Sequence, residues 1–309
     1  MYIISKEAQA FLNATVLAPK NKIETVALVG PAGCGKTSLV FEVAQQLNTK
    51  PSHVVTLMCS KDVTVHDIST SKTVEDGNVK EIVSPVLENM CRDNSVTYLD
   101  EFMSLPADVA VHLNSMLDHR KEVTLPNGKT YKRGKQAIVF LSSNPIGYAG
   151  VKRQHGGFMD RFPTLKMGYI DGEDKLLQSA FPNVPKPDTM RLAQFAKLIR
   201  TSQRTKESRT ECSTRSLLMM CNMIENGCDM STALHACLNV PQDEFAAVAE
   251  MAKLAMGAEV FKDDKGDETI DLFAEKDKKN KTLETELKTA NETIAGLNDK
   301  IAQLKGLIS

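Results

Sequence analysis

The chain has 309 residues, 42% hydrophobic and 25% charged, which suits about two globular domains: a full α/β core and something smaller. A formal net charge of −1 excludes the global basic field behind strong non-specific nucleic-acid binding, and the lack of Trp argues against base-stacking platforms. Seven Cys without any close C-x-x-C pair read as reduced thiols rather than a zinc framework; with no basic-then-apolar leader and no run near the roughly 18 apolar residues of a membrane span, a cytoplasmic setting is expected.

Residues 1–25 read as a helix and a loop leading to a short apolar strand, Val26–Val29, that ends at glycine. Lys36–Leu47 has helical periodicity, and the β-branched run His53–Met58 is a second strand. The polar stretch "TSKTVEDGNVKE" (70–81) reads as an insert-like loop, and Glu81–Cys91 as a helix. Val96–Leu99 is a third strand ending in Asp100 and Glu101, and Leu105–Asp118 is helical. Two alternating segments around Pro126-Asn127-Gly128 form a hairpin over 122–136, followed by a fourth strand, Ala137–Leu141, and a fifth, Thr164–Met167. Strands alternating with helices predict a mostly parallel sheet with ligands at the carboxyl ends of its strands.

Beyond Asp171 the strand signal disappears, and residues 173–260 read as several short helices with Gly227 and Gly257 at helix stops. The expected organisation is an α/β nucleotide-binding domain over 1–172, an all-α lid over 173–261, a charged linker over 262–282 and a tail over 283–309. In that tail Leu283, Leu287, Ala290, Ile294, Leu297, Ile301, Leu304 and Ile308 recur at 4-3-4-3 spacing, which predicts a coiled coil.

Three stretches carry chemistry. Gly30-Pro31-Ala32-Gly33-Cys34-Gly35-Lys36-Thr37 is G-x-x-x-x-G-K-T between a strand and a helix, with Ser38 following in the first helical turn. Its glycines let successive N–H groups point at phosphate oxygens, and the helix adds its N-terminal dipole. Lys36 brings a point charge, and Thr37 a hydroxyl for Mg²⁺. "VTYLDE" (96–101) ends an apolar strand in two carboxylates: Asp100 is placed to hold Mg²⁺ through its waters and Glu101 to polarise the attacking water. "AIVFLSSNP" (137–145) runs a buried strand into Asn144; beside the "VTYLDE" strand, its amide would emerge near the γ-phosphate and orient a water. Two arginines complete the set: Arg161 in "GGFMDRF" (156–162) and Arg215 in "STRSLL" (213–218). His155 and the other lone histidines are read as structural.

In this order, these elements resemble a AAA+ ATPase. The hairpin before the Asn strand, "SSNPIGYAGVKRQHGGFMDRF" and "STRSLL" are most similar to the CbbQ/NorQ/GvpN branch of the MoxR group, over residues 24–240. The resemblance implies ATP and Mg²⁺ as ligands, Asn144 as sensor 1, Arg161 as the arginine finger reaching the neighbour's nucleotide, and Arg215 as sensor 2. It also implies a ring, usually a hexamer, and chaperone-like remodelling of a partner, often together with a protein bearing a von Willebrand A domain. The 70–81 stretch and the hairpin tip "LPNGKTYKR" (125–133) are candidate client contacts; the heptads over 283–309 lie outside the resemblance and either join protomers or bind a partner helix.

Two other readings stay open at this point. One is a nucleic-acid motor or loader tracking phosphates with Lys129, Lys132, Arg133, Lys135, Lys152 and Arg153. The weak overall charge and lack of a DNA-reading helix disfavour it, and a GTP-driven motor is its relative. The other is a coiled-coil scaffold carrying a nucleotide-gated switch.

Overall fold

The computed structural model describes residues 4–75, 77–125, 128–145, 161–205 and 209–257. The linker and heptads expected over 262–309, and with them Lys152, Arg153 and His155, lie outside the described residues.

The centre is a five-stranded parallel sheet in the order β2-β5-β8-β1-β9, formed by β1 (Thr25–Val29), β2 (Val54–Met58), β5 (Val96–Asp100), β8 (Ile138–Ser143) and β9 (Thr164–Lys166). The three central strands read as continuous apolar runs because both sheet faces are covered. Alternate residues go to opposite sides. Val26, Leu28, Tyr98, Ile138 and Phe140 pack under α1 (Lys6–Ala14) and α2 (Lys36–Gln46). Ala27, Leu99, Val139 and Leu141 pack against α3 (Val65–Ile68), α4 (Pro85–Cys91) and α5 (Ala107–Leu117).

One stretch departs from the sequence reading. Residues 70–83 are a β-hairpin, β3 (Thr70–Glu75) with β4 (Asn78–Val83), where a polar loop and the first turn of a helix were expected. The helix begins only at Pro85, because the Ser84 hydroxyl caps it by accepting from Leu87 N–H and the Pro85 ring suits the first helical position. The expected second hairpin is present as β6 (Glu122–Thr124) and β7 (Thr130–Lys132). Lys129 and Glu81 pair as ions and tie the two hairpins together.

After β9 the chain is helical: α6 (Glu173–Ala180), α7 (Lys186–Arg204), α8 (Thr214–Glu225), α9 (Met230–Cys237) and α10 (Phe245–Met256). These helices bury their own cluster around Leu192, Phe195, Leu217, Met220, Leu234 and Val248. Gly257 stops α10 at φ 72°, a left-handed conformation that glycine adopts without steric cost. Among the described residues no helix is long and apolar enough to cross a membrane.

Candidate functional site

The phosphate-type loop leaves the carboxyl end of β1 and turns into α2. Gly30 N–H donates to the Ser143 carbonyl on the neighbouring β8, and a Cβ at Gly30 would stand 2.6 Å from the Met167 carbonyl oxygen, so only glycine fits. Gly35, at φ 95°, precedes α2 with no side-chain cap and no acid in the first helical turn. That N-terminus, with Lys36, Thr37 and Ser38 in its first turn, keeps its positive end for an incoming anion.

Lys36 turns back over the loop. Its Nζ donates to the Gly30 carbonyl at 2.7 Å, the Pro31 carbonyl at 3.0 Å and Asn144 Oδ1 at 3.0 Å. Asn144 is therefore brought to the loop lysine, 108 residues away in sequence, because β8 and β1 are neighbours. Burial pushes the Lys36 ammonium pKa below its ordinary value, partly offset by Cys34, Asp100 and Glu101. The buried Cys34 thiol shifts the other way for the same reason and stays protonated at neutral pH.

β5 delivers the carboxylates. Asp100 Oδ1 accepts from the Tyr98 hydroxyl at 2.7 Å, from Glu101 N–H at 3.1 Å, and from the Ser142 hydroxyl. The same Tyr98 oxygen lies 3.3 Å from Thr37 Oγ1, so one phenol brackets both residues expected at a divalent cation. No hydrogen bond reaches Asp100 Oδ2 among the described residues, which leaves a carboxylate oxygen for water or metal. Magnesium takes one or two carboxylates, a hydroxyl, waters and phosphate oxygens rather than a dense protein cage, so this donor set fits it. Glu101 is exposed and sits at φ 53°, ψ 39°, a left-handed backbone for a non-glycine residue.

The two arginines lie at opposite ends of the sheet. Arg215, in the first turn of α8, is exposed beside the loop: a Cβ built on Gly33 would come within 3.3 Å of its Cβ and 2.8 Å of Ser213. Arg161 precedes β9, at the entering ends of the strands. It is 48% exposed, and its Nη1 lies 3.8 Å from Asp118 at the end of α5. The five residues of β1 put roughly 16 Å between that edge and its own phosphate loop. A cavity of about 720 Å³ opens there, lined by Lys22, Arg120, Lys121, Arg133 and Arg161.

Three features were not signalled by any motif. Tyr98 and Ser142 orient Asp100, yet as members of apolar strands they read as core. Asp118 holds Arg120 through both carboxylate oxygens, at 2.8 to 3.2 Å, and so carries two arginines. A second cavity, of about 510 Å³, lies beside Cys34 between the start of α1 and residues 165–171.

Of the cations that the nucleic-acid reading names, three on the hairpin have intramolecular partners. Lys129 pairs with Glu81 and Lys132 with Glu122. The Arg133 guanidinium turns inward to the Glu24 carbonyl at 2.5 Å, Thr25 Oγ1 at 2.7 Å and the Ala137 carbonyl at 3.0 Å. Burial pushes the Arg133 pKa down to about 10. Its charge anchors the hairpin instead of facing phosphates.

Two family models match along the chain. The AAA domain (dynein-related subfamily) covers residues 25–162, and the CbbQ/NirQ/NorQ C-terminal family covers residues 173–255. The chain thus carries a AAA domain followed by a C-terminal region of the CbbQ/NirQ/NorQ type. The first model takes in four of the five sheet strands, β1, β2, β5 and β8, with the loop, Asp100, Glu101, Asn144 and Arg161; the second takes in the helices that follow β9 and Arg215. The chain is similar to uncharacterized proteins of staphylococci. The identity is 32% with one from Staphylococcus haemolyticus and 27% with one from Staphylococcus saprophyticus, each over 55% of this chain and 64% of the relative. A Staphylococcus aureus protein is 28% identical over 71% of this chain and 84% of its own. The chain thus spans less than two thirds of the first two relatives' length.

Proposed function

We propose that the chain is a AAA+ ATPase of the MoxR group, near CbbQ and NorQ, and assembles into a ring, hexameric by family resemblance, that couples Mg-ATP hydrolysis to remodelling of a protein partner in the cytoplasm. The observation that carries the reading is the division of the arginines: Arg215 stands over its own loop, while Arg161 is half exposed at the far edge of the sheet. An arginine so placed serves an adjacent copy's phosphates, not its own.

In this reading the loop from Gly30 to Ser38 wraps the triphosphate, with the amides after Pro31 and the α2 N-terminus donating to it, Lys36 exchanges its carbonyl partners for phosphate oxygens, and the cavity beside Cys34 takes the nucleoside. Thr37 and Asp100 would hold Mg²⁺, which when bound neutralises charge on the phosphates. Asn144 orients the attacking water, and Glu101 accepts its proton as the water oxygen bonds to the γ-phosphorus and the bond from that phosphorus to the β–γ bridging oxygen breaks, releasing ADP and phosphate. Arg161 from the neighbour stabilises the developing charge, and Arg215 reports loss of the γ-phosphate to the helical lid.

The two linked hairpins are the proposed client-facing surface. Val74 and Val79 are directly opposed on β3 and β4 and about two-thirds exposed, which leaves an apolar tip for a protein partner such as a von Willebrand A domain protein. The heptads over 283–309 are proposed to join protomers or bind a partner helix. The test is affinity capture on Glu101→Gln with ATP, read by mass spectrometry. The variant should bind ATP and trap an assembled state with its client. Wild-type turnover no faster than that of the variant ends the motor reading.

A further inference from the structure

Tyr169, between β9 and the helical bundle, touches both halves of the site. Its hydroxyl donates to the Ala32 carbonyl of the phosphate loop at 3.2 Å. Its ring lies 3.6 Å from Arg200 Cζ, with the guanidinium over the face. Arg200 is held on every side. Nε donates to the Cys212 carbonyl at 2.7 Å, Nη1 to Glu173 Oε2 at 2.5 Å and Nη2 to Glu173 Oε1 at 3.1 Å. The Thr214 hydroxyl donates to the same Glu173 carboxylate. Side-chain exposure is 10% for Arg200 and 5% for Glu173, so water contributes little to this network.

The network fixes two things at once. Cys212 and Thr214 flank Ser213, whose hydroxyl caps α8 by accepting from Ser216 N–H at 3.1 Å; Arg215 is the next residue along. Glu173 and Arg200 therefore set the direction in which α8 presents Arg215. On the loop side, the Ala32 carbonyl and the Gly33 N–H belong to one planar trans peptide and point in opposite directions. By holding the carbonyl, Tyr169 also aims that N–H. Gly33, at φ 68°, has no room for a side chain because Ser213 packs directly on it.

We propose that Tyr169 is a positioning residue that joins the phosphate loop to the lid: its hydroxyl orients the Ala32–Gly33 peptide for phosphate, and its ring seats the Arg200–Glu173–Thr214 network that aims Arg215. The proposal rests on the ATPase reading above. A loop reshaped by phosphate shifts the Ala32 carbonyl, and the tyrosine carries that shift to the first turn of α8 independently of any contact between Arg215 and the γ-phosphate.

The experiment compares Tyr169→Phe, which deletes only the hydroxyl, with Tyr169→Leu, which also removes the aromatic face, in the full chain. Steady-state ATP turnover, thermal melting and amide hydrogen exchange in nucleotide-free protein are measured for each. Tyr169→Phe is expected to raise KM for ATP about five-fold with kcat within two-fold, and to speed exchange at residues 33–37 without lowering the melting temperature. Tyr169→Leu is expected to raise KM similarly, lower kcat by about ten-fold or more, and speed exchange in the first turn of α8 as well. A purely structural tyrosine would lower melting temperature in both variants and leave the KM and kcat effects unseparated, which overturns the proposal. Wild-type KM and wild-type loop exchange in Tyr169→Phe overturn it too. If wild type itself turns over no ATP, the ATPase reading fails, and exchange at 33–37 together with binding of a fluorescent ATP analogue still decides the tether.

Discussion

Replacing Arg161 by Ala gives the sharpest separation between a self-sufficient protomer and a shared site. The pair that Arg161 makes at home is weak: 3.8 Å from Asp118, with half of its own side chain in water, it is worth about 0–1 kcal/mol. The variant should therefore fold and melt like wild type, and any loss of turnover is chemical. An arginine delivered in trans contributes about a thousand-fold or more to hydrolysis, so Arg161→Ala should lose turnover on that scale while still binding nucleotide. Mixing provides the test. Arg161→Ala retains Glu101, and Glu101→Gln retains Arg161. In a random one-to-one assembly about one quarter of the interfaces combine a good Glu101 with a neighbour's good Arg161. Turnover should climb from near zero to about a quarter of wild type on mixing. No recovery, or an Arg161→Ala variant within about ten-fold of wild type, refutes the assignment of this arginine to the neighbour.

Lys36→Ala should abolish detectable binding of a fluorescent ATP analogue, because the loop loses the ammonium that now bridges Gly30, Pro31 and Asn144. Glu173→Ala leaves the buried Arg200 guanidinium without its carboxylate and should cost about 3–5 kcal/mol in urea unfolding; Glu173→Met with Arg200→Met should recover much of that loss. Burial pushes the Cys59 and Cys212 thiols up to about 12 from an ordinary 9.0. Each thiol is neutral in both states below pH 9, and above it only the unfolded chain ionises. Stability should therefore fall as pH rises from 9 toward 12, and Cys59→Ala with Cys212→Ala should flatten that slope in denaturant titrations.

The sheet and its ligands were legible because each signal was local. A glycine turn between a strand and a helix, a strand ending in Asp100 and Glu101, and a strand ending at Asn144 are short enough to read directly, and parallel pairing then brings them together. The β3–β4 hairpin was missed because its turn, Glu75 to Asn78, sits in a polar stretch whose outward valines carry no alternation toward a core. Tyr169, Glu173 and Arg200 were beyond reach for a different reason. They belong to no spacing pattern and meet only when α6 and α7 pack, and an isolated arginine in a helix reads as solvated. Arg161 and Arg215 stand in short quoted stretches, but their roles entered through the resemblance. Their placement at opposite ends of the sheet depends on strand order, which residue spacing does not encode.

The left-handed backbone at Glu101 sets stability against the proposed chemistry. A non-glycine residue there carries about 1 kcal/mol of conformational strain, which glycine would relieve. A Glu101→Gly chain would thus gain robustness while surrendering the carboxylate proposed to activate water. Stability alone would favour glycine here, so robustness of the fold and the proposed water-activating role pull this one position in opposite directions.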